Sequence, residues 1–338
     1  MLDQSERLMD AKPLLTIAIP TFNRAQYLME LLSILSSELR DEPRVELLIS
    51  DNASGDETPR VVQGFVEHGL RVCYLRNELN IGADANFAQC FEKARGKYVW
   101  ILGDDDVLAQ GAIATILTYL EAESYDLVHV NYFTFSDSHA PKTASRSGKA
   151  LRITNPARFA RRVNVLLTFI SSNIVNRERV LMSGYDKLPS LVGTSLVQLS
   201  WTYAALNIFE RGMFISQQLV GMRVDNTGGY KLLEVFGPTF KRITEQRLHS
   251  EGVKRAILNG VAQRFWPGIL LMYRSSAMRF ASEASPQEVL TPVFRDNFRY
   301  WSFAYPIIAL PLALAKCWYL IVRVINRLDK AAGFVLLR

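Results

Sequence analysis

The chain is poor in the residues that build metal cages and disulfide frameworks: three cysteines and four histidines in 338 residues. Cys73, Cys90 and Cys317 are scattered, with no CxxC pair. That excludes a zinc ribbon and a disulfide scaffold and suits a reducing cytosol. His68, His129, His139 and His249 fall at no ligand spacing. No GxGxxG follows the first apolar run, and "GADANF" lacks the lysine of a P-loop, so dinucleotide and ATPase readings have no motif to stand on. No Ser/His/Asp or Cys/His arrangement supports a nucleophilic hydrolase. The N-terminal "MLDQSERLMD" is acidic where a signal peptide is basic, and no apolar stretch follows it. Export of the first half is therefore not expected, and a cytoplasmic location is.

Hydrophobic residues make up 49% of the chain and charged ones 21%, a globular composition with material for one large domain or two ordinary ones. The net charge of +6 hides an asymmetry. Residues 1–140 carry 11 Lys+Arg and 22 Asp+Glu, a net of −11; residues 141–338 carry 28 and 11, a net of +17. A basic half suits an anionic membrane surface, a phosphorylated ligand or nucleic acid, and serves equally to solubilise a helical half.

"LLTIAIP" (Leu14–Pro20) is a short run of β-formers stopped by proline, a buried strand. Tyr27, Leu28, Leu31, Leu32 and Leu35 then recur with helical period. The alternation continues through strand Val45–Ser50, a helix from about Glu57 with Ser54 and Asp56 as caps, strand "LRVCYLRNE" and helix "ADANFAQCFEKARG". Strand "KYVWILGDDD", helix "GAIATILTYLEAE" and strand "YDLVHVNYFTF" complete it. Five strands alternating with four helices predict a doubly wound, mostly parallel α/β sheet. Its ligand belongs beyond the carboxyl ends of the strands, where Thr21–Arg24, Asp51-Asn52 and Asp104-Asp105-Asp106 fall. Residues 136–162 read as a polar, basic excursion, and "VLLTFISSNIVNRERV" as a strand leading into a helix. From about Gly228 helical periodicity dominates, which divides the chain into 13–228 and a basic, apolar helical region, 229–338.

Residues 300–322 hold one charge, Lys316, between basic flanks. The length reaches a membrane span, but Pro306 and Pro311 interrupt a regular helix. An interfacial or re-entrant segment, with Trp301 and Trp318 at headgroup depth, is the preferred reading. A buried amphipathic pair is the next, and a span the third.

Three consecutive aspartates at a strand end repel one another unless positive charge joins them. Such a strand end holds a hard divalent cation through one or two carboxylates, with water and substrate phosphates completing the shell. Gly103 lets backbone approach a ligand closely. A solvated turn, or acidic capping of the helix beginning near Gln110, explains the same triplet without a ligand. Asp51, just past a buried strand, adds a second polar strand end, although Asp-Asn also begins turns.

The ordered series "IPTFNR", "LLISDNASGDET" and "NELNIGADANFAQCFEKARGKYVWILGDDDVL" resembles the family 2 glycosyltransferases of GT-A fold. The "GDDD" form is similar to bacterial transferases of surface-polysaccharide synthesis, the abequosyltransferase-like proteins among them. The resemblance implies that Pro20, Thr21, Asn23 and Arg24 line a nucleotide site and that Asp51 binds the base edge. Asn80, Gly82 and Asn86 match a stretch that closes over the nucleotide. Asp104 and Asp106 match the DxD motif, on ribose or metal-bound water and on Mn²⁺ or Mg²⁺ respectively, and Asp105 can take either place. It also implies a GT-A, Rossmann-like domain, a nucleoside-diphosphate-sugar donor and an inverting displacement. The acceptor would be a glycan or a polyprenyl-diphosphate-linked saccharide at the cytoplasmic face of the inner membrane, and no nucleic acid partner.

Two segments depart from the family pattern. The acidic pair that supplies the general base is replaced near Thr194-Ser195, and Asp186 is the one carboxylate between Val180 and Phe209. "VGMRVDNTGGY" places Asp225 where histidine is usual, two residues after Arg223, which the resemblance assigns to the diphosphate. Asp186 and Asp225 are thus the candidate bases, with turn roles as their structural alternative. Two competing functions stand beside the transferase. One is a non-catalytic binding or scaffold protein of the same fold. The other is a nucleotidyltransferase, for which "PTFNRAQYL" lacks the expected glycine-rich loop.

Overall fold

The computed structural model describes residues 12–136, 148–184, 191–224, 229, 231–275 and 284–335. The chain forms two compact units, residues 1–159 with 166–227, and residues 160–165 with 228–338.

The first unit is built on one nine-stranded sheet. Its first strands are β1 (Leu15–Thr21), β2 (Val45–Asp51), β3 (Cys73–Arg76), β4 (Tyr98–Ile101) and β5 (Val107–Leu108). They are followed by β6 (Leu127–Phe135), β7 (Ala150–Ile153), β8 (Asn173–Asn176) and β9 (Gly212–Arg223). The order is β3-β2-β1-β4-β8-β6-β9-β5, with β7 also on β9. β3, β2, β1 and β4 pair in parallel. β8 is antiparallel to both β4 and β6, and β9 is parallel to β6. Six strands therefore run one way and β5, β7 and β8 the other.

The intervening helices are α1 (Ala25–Glu38), α2 (Thr58–Glu67), α3 (Ala83–Lys93) and α4 (Ala112–Ala122), then α5 (Pro156–Val163), α6 (Arg177–Met182) and α7 (Leu199–Asn207). The α/β alternation expected from the sequence is what the chain forms. Every residue of β1 is buried, because layers cover both of its faces. α1 buries Leu28, Leu31, Leu32 and Leu35, one face at helical spacing, and α4 does the same with Ile113, Ile116, Leu117 and Leu120. Leu15, Ile17, Ile19, Leu47, Ile49 and Trp100 complete that core.

Two details were not anticipated. β8 inserts between β4 and β6, so the sheet is not the simple parallel succession that alternation suggests. The excursion at 136–162 contains β7 and all but the last residue of α5; residues 137–147 lie outside the described set.

The second unit is helical. Among its helices are Phe240–Arg247, Glu251–Gly260, Trp266–Arg274, Pro286–Phe294 and Leu312–Val335. Phe240, Ile243, Ile257, Trp266, Leu290, Phe294, Tyr300 and Val322 are buried. Residues 160–165 join it because Asn164 Nδ2 donates to the Ala256 and Ile257 carbonyls, each at 3.1 Å. Three π turns, Val235–Thr239, Val261–Phe265 and Tyr300–Ala304, contain or immediately precede helix starts bearing Pro238, Pro267 and Pro306. A proline ring clashes with the carbonyl four residues back, and a wider turn relieves that clash. Pro306 is absorbed in this way, while Leu310, extended ahead of Pro311, ends the helix. Among the described residues no helix is long and apolar enough to cross a membrane.

Candidate functional site

The strands that run together present their carboxyl ends at one edge of the sheet, and the polar motifs collect there. β1 ends at Thr21 in register with Asp51, the end of β2, and Asp51 is in register with Arg76, the end of β3. β4 lies on the other side of β1, and Leu102 just past it donates its N–H to the Ala18 carbonyl. β9 ends at Arg223.

The aspartate triplet follows β4 and leads directly into β5, not into a helix. Its capping role is therefore overturned by geometry. The first turn of α4 is satisfied instead by Glu38, whose carboxylate accepts from the Gly111 and Ile113 N–H groups. Nor is the triplet a solvated turn: Asp104 is 4% exposed and Asp106 6%. Asp104 accepts from the Thr21 hydroxyl at 2.8 Å and from Arg24 Nη1 at 2.9 Å. Arg24 Nη1 also reaches Asp105 at 3.3 Å. Asp106 accepts from the Arg223 backbone N–H at 3.3 Å. Arg223 Nε donates to the Asp105 carbonyl at 3.0 Å and Nη2 to Glu30 at 2.5 Å, while its guanidinium lies between the rings of Tyr27 and Phe135.

Burial dominates the electrostatics of this pair. It pushes Asp104 up to about 6, against the opposing pull of Arg24, and Asp106 up to about 7, against hydrogen bonds from Ser171 and the Arg223 N–H. Asp105, beside both, adds repulsion in the same direction. Two carboxylates stripped of water and short of positive charge are the donor set that a hard cation relieves. Among the described residues no three His, Cys, Asp or Glu side chains converge as a cage. An all-protein cage is not what Mg²⁺ requires, since one or two carboxylates with substrate phosphates suffice. Asp104 and Asp106 thus fit a cation that arrives with a diphosphate. The backbone here is tight: a Cβ on Gly103 would lie 3.0 Å from Asp105 Oδ1 and 3.1 Å from Asp106 Oδ2.

A second cluster lies past β2. Asp51 is fully buried. It accepts from the Ser54 N–H at 2.8 Å and the Tyr74 hydroxyl at 2.5 Å, with Arg76 Nε at 3.6 Å. Burial, with the Asp51 charge beside it, raises the Tyr74 phenol well above its usual range. Asn52 ties the next loop down: its Nδ2 donates to Asn80 at 2.7 Å, and its Oδ1 accepts from the Ile81 N–H at 2.9 Å. Asn80 in turn accepts from the Gly82 N–H. Gly82, at φ 87°, turns the chain into α3 in a conformation that side chains resist. Asn23, at φ 53°, accepts from the Gly55 N–H and donates its own N–H to Ser54, joining the β1 and β2 loops.

Thr21, Arg24, Asp104, Asp105, Asp106 and Arg223 are therefore brought into one contact network, and Asn23, Asp51, Asn80 and Gly82 into a neighbouring one. Pro20 is a buried strand residue in register with Ser50. Asn86 is buried, with its amide oxygen accepting from the Ser50 hydroxyl and its nitrogen donating to the Ser50 carbonyl, so it ties α3 to β2. Asp186 and Asp225 lie outside the described residues. Sequence reasoning missed Tyr74, Arg76, Ser171 and Glu30. Tyr74 and Arg76 take their role from the pairing of β3 with β2, and Ser171 carried no signal in the sequence.

Residues 16–184 match the sequence profile described as Glycosyl transferase family 2. The abequosyltransferase RfbV of Salmonella typhimurium is 38% identical over 112 residues, 33% of this chain and 34% of that relative. A Campylobacter jejuni GalNAc(5)-diNAcBac-PP-undecaprenol beta-1,3-glucosyltransferase is 33% identical over 137 residues, 40% of this chain and 43% of the relative. The chain thus spans well under half the length of these relatives. Among solved structures, S. aureus TarS 1-349 in complex with UDP superposes with a TM-score of 0.62 at 17% identity, covering 91% of this chain and 88% of that one. The mannosyltransferase PcManGT from Pyrobaculum calidifontis, in complex with GDP-Man and Mn2+, gives 0.52 at 16% identity, covering 97% and 93%. At these identities the likeness is one of fold.

Proposed function

Because the chain belongs to glycosyl transferase family 2, we propose that it transfers a sugar from a nucleoside diphosphate to a saccharide hydroxyl in surface-polysaccharide synthesis, by an inverting, divalent-cation-dependent displacement. The observation that supports this most is the pair of buried, electron-rich carboxylates, Asp104 and Asp106, at the end of β4 beside Thr21 and Arg24.

In this reading Asp51, held by Tyr74 and Ser54, offers its carboxylate edge to the base. The loop pinned by Asn52 and Asn80 flanks the nucleotide, and Asn86 keeps the start of α3 in place beneath it. Arg24 and Arg223 supply fixed positive charge near the diphosphate, and Thr21 and Arg24 fix the orientation of Asp104. Asp104 and Asp106 would hold Mn²⁺ or Mg²⁺, which when bound neutralises charge on the departing diphosphate. The acceptor oxygen bonds to the anomeric carbon, the bond from that carbon to the diphosphate oxygen breaks, and the hydroxyl proton passes to a carboxylate base, for which Asp186 and Asp225 are the candidates. In this reading residues 13–228 constitute the catalytic domain and 229–338 a separate helical region.

A polyprenyl-diphosphate-linked saccharide at the cytoplasmic membrane face is the acceptor class we favour. The Campylobacter relative is named for a substrate of that kind, and the +17 second half of the chain complements anionic lipid. The test is turnover of nucleotide sugars by the full chain with Mn²⁺. Hydrolysis or transfer that falls at least a hundredfold in Asp106→Ala supports the assignment. Donor binding without turnover across donors and acceptors would leave a non-catalytic binding protein of this fold.

A further inference from the structure

We propose that the outward face of the helix Leu312–Val335 is a docking surface for an anionic lipid bilayer, on which the helix lies flat. Its inner face is fixed within the second unit. Ala315 and Val322 are fully buried. Asn326 accepts from Gln263 at 2.9 Å, and Asp329 pairs with Arg161 at 3.4 Å and with Arg264 at 3.9 Å. The opposite face is apolar and exposed. Leu314, Leu320, Ile321, Val324 and Leu328 are each about half or more exposed, up to 65% at Leu328. At 100° per residue these positions fall within a single stripe, roughly opposite the buried pair. Folding a chain so that five large aliphatic groups face water on one helix, with the polar anchors turned inward, leaves an apolar strip without an intramolecular partner.

The border of the strip identifies what covers it. Lys316, Arg323 and Arg327 are exposed and line one edge, seven and four residues apart along the helix. The helix carries one carboxylate, Asp329, and that is turned to Arg161 and Arg264. A second copy of the chain would set this basic edge near its own duplicate with no acidic residue on the same face to take up the charge. An anionic bilayer accepts both features: aliphatic side chains enter the acyl boundary while lysine and arginine reach the phosphates. The helix is not apolar enough to cross, so it lies in the interface plane. The sequence pointed to 300–322 for this role; the exposed strip starts later, beyond the break at Pro311, and runs on to Leu328. The purpose of this surface rests on the lipid-carried acceptor proposed above. Its physics does not, because it needs neither donor nor acceptor.

The experiment is flotation of the full chain, without nucleotide sugar, on vesicles of phosphatidylcholine alone or of phosphatidylcholine and phosphatidylglycerol in equal parts. Wild type is expected to float with the anionic vesicles and to remain below with the neutral ones. Leu320→Asp with Val324→Asp is expected to abolish flotation, and Lys316→Gln with Arg323→Gln and Arg327→Gln to lower partitioning on the order of a hundredfold. The altered side chains are exposed, so unchanged circular dichroism and melting temperature verify the fold in each variant. Equal flotation of wild type and both variants overturns the proposal. So does a concentration-dependent dimer in sedimentation that the aspartate variant abolishes, which assigns the strip to a second copy. Loss of flotation with retained nucleotide-dependent thermal stabilisation separates this surface from the donor site.

Discussion

Asp104 and Asp106 give up their water for a network that returns too little positive charge, and the cost is pH-dependent. Both are raised, to about 6 and about 7, mainly by burial, whereas an unfolded aspartate titrates near 3.9. Protonation therefore favours the folded chain. The contribution of the pair is full below about pH 4 and is lost as pH rises through the folded values. In chelator, Asp106→Asn should remove part of that loss and stabilise the chain at pH 8 relative to wild type by on the order of a few kcal/mol. The two should converge near pH 4. Melting temperature against pH measures this, and parallel profiles would refute it. Asp51 is held by partners already in place. Tyr74→Phe deletes the hydroxyl at 2.5 Å and leaves a buried carboxylate short of one donor, at a cost of about 2 kcal/mol in urea denaturation.

Elements decide how these residues meet, and they also decide what could be read beforehand. Strand-end aspartates were legible because two buried β runs end in Asp and, with the polar end of β1, share one edge. Tyr74 and Arg76 were not, since their role depends on β3 lying beside β2, a pairing that local composition does not encode. The Glu38 cap was likewise hidden: the last turn of α1 satisfies the first turn of α4 across 73 positions of sequence. Without it, the triplet was a fair candidate for the cap. Glu38→Ala should then cost about 1 kcal/mol of stability and leave nucleotide binding unchanged. An equal loss in a triplet variant, with no loss in Glu38→Ala, would return the capping role to the aspartates. The insertion of β8 between β4 and β6 was illegible for the same reason as β3, because strand order is a long-range property.

At the scale of the whole molecule, charge and architecture divide together. The sheet unit holds the acidic strand ends and carries 21 Lys+Arg against 26 Asp+Glu, a net of −5, while the helical unit carries 18 against 7, a net of +11. The division in composition was visible in the sequence, as was the change to helical periodicity near 228. The capture of residues 160–165 by the helical unit was not, because it turns on one asparagine reaching two carbonyls about 92 positions away. In the proposed function, donor and cation assemble at the sheet edge as one unit. The most direct measurement is a thermal-shift panel of UDP, GDP, CDP and dTDP on the full chain, with Mn²⁺ and with chelator, in wild type and Asp106→Asn. One nucleotide should stabilise wild type with Mn²⁺, show little effect in chelator, and lose its Mn²⁺ dependence in the variant. Stabilisation of equal size with and without the cation, unchanged in Asp106→Asn, would contradict the assignment of Asp104 and Asp106 to the diphosphate site.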